Sequence, residues 1–141
     1  MSGEIKTPRG TVIKTGKTTC RLTWNPGLAP EANARYSRAQ KFVDSEVLRH
    51  STPYTPMRSS MLIKSGTLGT KIGSGLVQWI APYARYQYYG KVMVGPAPKV
   101  LTERPLTYNG APQRGAYWFE RMKADKGSTI IAGAKKIAGG K

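Results

Sequence analysis

Side chains able to do acid–base, nucleophilic or metal chemistry are few here: one histidine, His50, one cysteine, Cys20, and seven acidic residues in 141. A Cys–His nucleophile pair needs both groups within hydrogen-bond reach. Cys20 falls on an alternating run and His50 at the end of a helical one, and nothing in the pattern brings them together. Cys20 reads as a small core hydrophobe. His50 reads as a helix-terminal residue, where a ring able to carry positive charge complements the helix dipole. Asp44 and Glu46 stand two apart, so on a helix they diverge and form no carboxylate pair. A lone thiol neither bridges internally nor builds a zinc site. Gly66-Thr67-Leu68-Gly69 and Gly73-Ser74-Gly75 lack the Gly-Lys-Ser/Thr that closes a phosphate loop. The residues therefore predict no enzyme, no metal and no cofactor.

What the chain does concentrate is tyrosine. Four of its eight tyrosines, Tyr83, Tyr86, Tyr88 and Tyr89, fall within seven residues, interrupted only by Ala84, Arg85 and Gln87. A core element carries its aromatics at one period, 3.6 or 2, whereas these point in too many directions for a single face. Tyrosine joins an apolar ring to a polar tip, which suits surfaces that become buried when proteins meet. The simpler reading is a half-buried element packed on a sheet.

Charge is the second large fact. Lysine and arginine number 23 against seven acids, a net +16. Such a field attracts polyanions without specifying a fold. The basic residues run from Lys6 to Lys141 with no cluster longer than Lys135-Lys136, unlike the compact basic arm of a simple DNA-binding tail. A single free thiol fits manufacture in a reducing cytosol. Met1-Ser2-Gly3-Glu4-Ile5-Lys6 lacks the apolar centre of a signal peptide, and no stretch approaches the ~20 apolar residues of a membrane span. One domain is expected at this length.

The elements that must position these residues read as follows. Residues 1–16 form an N-terminal arm. Thr18 to Trp24 alternates, with Cys20, Leu22 and Trp24 on one face, and Asn25-Pro26-Gly27 stops it, which predicts a half-buried strand. Ala32, Tyr36, Ala39, Val43 and Val47 then recur at spacings of four, three, four and four, an amphipathic helix over 30–50. Pro53 and Pro56 end it. Gly73-Ser74-Gly75 reads as the turn of a hairpin with strands 66–72 and 76–81, although Met61-Leu62-Ile63 could belong to a short helix before it. Pro82 and Gly90 bracket a short helix through the tyrosine block. Residues 91–115 hold four of the ten prolines and read as a long loop or a hairpin with Pro96-Ala97-Pro98 at its tip. A last helix over 116–138 places Trp118, Met122, Ile130, Ala134 and Ile137 on apolar positions, weakened by Gly127 and Gly133. The order is α+β: a small antiparallel sheet packed against a long N-terminal helix and a C-terminal helix.

Three segments carry a resemblance. Pro53-Tyr54-Thr55-Pro56-Met57-Arg58-Ser59-Ser60-Met61-Leu62-Ile63-Lys64-Ser65-Gly66 resembles the Pro-x-x-Pro…Thr-Gly-x-Leu-x-x-Ser segment of minor capsid proteins of long-tailed bacteriophages. Pro82-Tyr83-Ala84-Arg85-Tyr86-Gln87-Tyr88-Tyr89-Gly90 is similar to the Pro-Tyr-Ala-x-x-x-(Glu/Tyr)-x-Gly segment that follows it in that family, and Tyr117-Trp118-Phe119-Glu120-Arg121-Met122-Lys123-Ala124 to the aromatic start of its closing helix. The family is similar in turn to tail-completion and head–tail joining proteins. The three segments stand in the family's order, and the resemblance covers about residues 30–138. Ser59-Ser60 departs from the pattern, standing where the family often has Thr-Gly.

The resemblance implies a virion protein, made in the bacterial host cytoplasm, that forms a homo-oligomeric and expectedly hexameric ring in the neck. Its partners would be the connector or stopper above, the tail tube or tail terminator below, and double-stranded DNA passing through. Tyr83, Arg85, Tyr86, Tyr88, Tyr89, Val92, Met93 and Val94 are then the candidate subunit or partner contacts. Arg58, Lys64, Lys71, Lys135 and Lys136 are the candidates to face the DNA channel. The rival reading is a small basic nucleic-acid-binding protein, with aromatics beside Arg85 to stack bases.

Overall fold

The structure is a computed structural model and describes residues 3–108 and 112–139. The outermost residues of the expected arm, Met1 and Ser2, and residues 109–111 of the expected loop lie outside the described residues. Two long helices make the frame: α1, Leu28–Ser51, and α4, Trp118–Ala138. They run antiparallel. Phe42, midway along α1, meets Gly133, whereas Tyr54, just past its end, donates a 2.5 Å hydrogen bond to Asp125. That bond, together with burial, raises the Tyr54 hydroxyl pKa. Between them come α2, Met61–Gly69, and α3, Ala84–Tyr89. The strands form two antiparallel hairpins, β1 (Thr11–Thr15) with β2 (Thr18–Leu22) and β3 (Lys91–Val94) with β4 (Val100–Pro105). The architecture is α+β, with the N- and C-terminal helices packed together.

The α1 stripe lies largely where its spacing puts it: Ala32 and Ala39 are buried, and Val43 and Val47 pack on the core. Tyr36 departs from it and stays half exposed, because β1 and β2 are not folded over that end. The core gathers Tyr54, Leu62, Ala84, Trp118, Met122 and Ile130. Beyond α1 the Pro53–Pro56 turn is clamped from α4's side. Arg114 donates to the carbonyls of Thr52 and Thr55 at 2.9 and 2.6 Å, using the acceptors a helix C-terminus leaves free.

Several expectations are corrected. The arm does not extend to residue 16: the β-branched run Thr11–Thr15 pairs with β2 across a two-residue Gly16-Lys17 turn, Gly16 taking the left-handed φ of +59° that such turns favour at their first position. The strand at 18–22 is not half-buried, since every residue from Gly3 to Leu28 is exposed. Cys20 is therefore a surface thiol and not a core hydrophobe. The hairpin over 66–81 is absent, and 66–69 belong to α2. Leu62, Ser65 and Gly66 are buried on one helical face, and glycine at 66 lets the Trp79 indole lie on that face, 2.6 Å from where a Cβ would stand. Residues 76–81 instead run back across α2 as irregular chain, Gln78 tying to Gly69 and Thr70. The Gly73-Ser74-Gly75 turn exists but is moored to α1. The buried Asp44 carboxylate accepts the Gly73 and Gly75 amides at 2.8 and 3.1 Å and the Gln40 amide at 2.9 Å. In 91–115 the hairpin alternative is observed.

Candidate subunit and partner interface

The tyrosine block is set by local rules first. The Ala84 amide donates to Ala81 to open the turn, and Gly90 closes α3 in the left-handed region (φ +71°), its amide donating to Tyr86. A helix this short is marginal alone, and tertiary contacts hold it. Tyr117 donates its amide to the Tyr88 carbonyl at 2.9 Å, Leu106 donates to Gly90 at 2.8 Å, and the Tyr108 hydroxyl donates to Gln87. Burial raises the Tyr108 hydroxyl pKa, keeping it a donor.

The four tyrosines divide between two duties. Tyr88 turns inward, its ring perpendicular to Trp118 at 4.7 Å and edge-on to Tyr117 at 5.5 Å. Tyr83 also packs on the core. Tyr86 and Tyr89 face the other way, into a cleft of about 400 Å³ shared with Arg85, Met93, Lys99 and Leu101. Of the hairpin candidates, Val92 and Met93 are half-buried and Val94 is exposed. The structure thus brings Arg85, Tyr86, Tyr89 and Met93 to one place and leaves Tyr83 and Tyr88 as their support.

Two further apolar surfaces lie apart from the predicted contact residues, Tyr88 excepted. In the β1–β2 hairpin, Ile13 opposes Cys20 and Thr11 opposes Leu22, so these residues share one face, with Trp24 two residues on. Ile13 is 60% and Leu22 54% exposed. The β-branched run before Gly16 was the signal for it. The second is a groove of about 500 Å³ formed by Val43, Val47, Leu76, Trp79, Tyr88 and Phe119. It exists because Asp44 holds the 73–75 turn beside α1, a long-range contact that spacing does not reveal.

Arg58 lies on the loop after Pro56, Lys64 on α2, Lys71 on the following turn, and Lys135 and Lys136 in the last turn of α4. All five are exposed, and none has an ion-pair partner among the described residues. His50 sits in the last turn of α1, its Nε2 3.2 Å from Glu46. The Arg49 guanidinium, bonded to Glu46 at 2.6 and 2.8 Å, is the main cause that holds its carboxyl below the usual range. Asp44 and Glu46 diverge as their spacing demands, one buried and one in this surface pair. Among the described residues no group of three or more His, Cys, Asp or Glu is placed to hold a metal, and no helix is long and apolar enough to cross a membrane.

Ser60, the position where the resembled family often has glycine, is in the left-handed region with φ +65°. Comparison with known proteins finds no matching family model, no matching curated protein and no matching solved structure.

Proposed function

We propose that this chain is a structural subunit of a bacteriophage neck, a homo-oligomeric ring of hexameric type between connector and tail through which double-stranded DNA passes. The observation that carries the reading is an incompletely covered subunit in a chain whose three segments resemble that family. Among the described residues eight apolar residues are buried while nineteen large apolar side chains are exposed. A two-stranded hairpin standing alone in water is marginal, and the apolar face of β1–β2 calls for a cover that the described residues do not supply. A projecting apolar hairpin and a separate apolar groove are the two halves of a head-to-tail contact, the kind that closes rings. The left-handed Ser60 adds support, because the backbone there has the form a glycine would take without cost.

The net +16 suits a subunit beside packed DNA, acting as a screened and sequence-independent field. Self-association through apolar faces and attraction to DNA respond to salt in opposite directions. Screening weakens repulsion between like-charged subunits, whereas phosphate binding falls steeply as salt rises. Sedimentation of the isolated protein at 0.05 and 0.5 M salt should therefore show larger species at high salt, and DNA retention should fall over the same range. Antibody labelling of phage particles should mark the head–tail junction. Tight, sequence-selective DNA binding by a monomer at physiological salt would overturn the neck reading in favour of a nucleic-acid binder.

A further inference from the structure

We propose that the cleft between α3 and the β3–β4 hairpin docks an acidic peptide segment of a partner protein, one that presents a large apolar side chain flanked by carboxylates. The proposal deepens the neck reading, on which it rests for where the partner is found, namely in an adjoining neck protein.

The cleft has an apolar interior and a cationic rim. Tyr86 and Tyr89 stand three apart on α3 and so share a face. Met93 and Leu101 are cross-strand partners and share the facing side of the hairpin. Together they wall about 400 Å³, inside the range of sites that enclose a ligand group. Tyr89 is 48% and Leu101 56% exposed, so the walls are open to an incoming side chain. Arg85 and Lys99 line the same cleft, are exposed, and have no ion-pair partner among the described residues. The one acid on the hairpin, Glu103, is engaged by Lys91 at 3.0 Å, which leaves the two rim cations unneutralised.

Charge selects the occupant. A second copy of this chain, whose self-association is assigned to the β1–β2 hairpin and the apolar groove, has seven acids against 23 basic residues and is a poor source of the paired carboxylates that this cationic rim selects. Duplex DNA presents phosphates with its bases stacked away, and phosphate contacts need only donors and charge; they give Met93 and Leu101 nothing to cover. An acidic segment with one apolar anchor uses both halves of the site. The anchor fills the walls in the manner of an interface hot spot, and the carboxylates meet Arg85, whose planar fork binds them bidentately, and Lys99.

The test is fluorescence anisotropy of isolated protein at 0.15 M salt with four labelled probes. These are a peptide with one phenylalanine between pairs of glutamates, the same peptide with alanine for phenylalanine, one with lysines for glutamates, and a ten-nucleotide oligo-dT. The first should bind at least tenfold tighter than the other two peptides. Arg85→Glu with Lys99→Glu should weaken it at least tenfold, and Leu101→Ala several-fold, with circular dichroism unchanged. Absent binding overturns the proposal, as do equal binding of the alanine peptide or indifference to the double reversal. Tighter binding of oligo-dT, lost in the same double variant, makes the cleft a nucleic-acid site instead. Because the probes are synthetic and the protein isolated, these outcomes are independent of where the protein lies in a virion.

Discussion

Glycine-to-alanine substitution in the helices puts the α1–α4 frame to a quantitative test. In an open helix the change stabilises by up to ~1 kcal/mol, because alanine loses less backbone entropy on folding. Gly127 meets that condition: an added Cβ lies 3.5 Å from Lys123 Cγ, an ordinary contact. At Gly133 the same Cβ stands 2.5 Å from Phe42 Cζ and 2.7 Å from Cε1. Carbon atoms rest at about 3.5–4.0 Å, so the ring must retreat by about 1 Å, and overpacking of this kind costs ~1–3 kcal/mol. Subtracting the propensity gain leaves Gly133→Ala destabilising by about 1 kcal/mol, against a gain of about 0.5–1 kcal/mol for Gly127→Ala. Thermal unfolding followed by circular dichroism should separate the two variants by about 6–8 °C, at roughly 4 °C per kcal/mol for a chain of this size. Phe42→Leu should shrink the penalty at Gly133 and leave Gly127→Ala unchanged, since only the first pair is in contact. Equal stabilisation by both alanines would refute the antiparallel packing of α1 on α4 at Phe42.

Ser60→Gly should raise stability by about 0.5–1 kcal/mol in urea unfolding, because a left-handed residue with a Cβ costs ~1–2 kcal/mol and glycine returns part of this as unfolded-state entropy. Tyr88→Ala should cost about 2–3 kcal/mol through loss of its contacts with Trp118 and Tyr117, whereas Tyr89→Ala should leave the unfolding midpoint within about 0.5 kcal/mol and show its effect only in assembly or partner binding. The Glu46 carboxyl is held below its unfolded range, so it stabilises above the unfolded pKa and the contribution disappears as pH falls through the folded one. Glu46→Gln should therefore cost about 0.5 kcal/mol at neutral pH, a difference that vanishes once pH has fallen below the folded-state value, read from urea midpoints of both proteins.

Local patterns in the chain were enough to determine its helical frame. The four-three-four-four spacing from Ala32 to Val47 marks a face whatever it packs on, and Pro82 and Gly90 bracket α3 by backbone constraints that act within a few residues. The α+β class follows from the same signals, and the divergence of Asp44 from Glu46 from helical geometry alone. Tertiary structure decided the rest. Met61–Gly69 is apolar and glycine-containing, and strand and helix compete for it on nearly equal terms; Trp79 lying on Gly66 resolves the contest for helix, from outside the segment. Cys20 and Leu22 alternate as a strand should, but alternation records only that two faces differ, not that either is covered, and here neither is. The tyrosines were legible as a dense aromatic surface. Which of them point inward was not, because that depends on Trp118, about thirty residues away in sequence and 4.7 Å from Tyr88 in space. The cleft of Tyr86, Tyr89, Met93 and Leu101 likewise needs a helix and a hairpin brought together, and burial energy is set by such contacts, which no local period encodes.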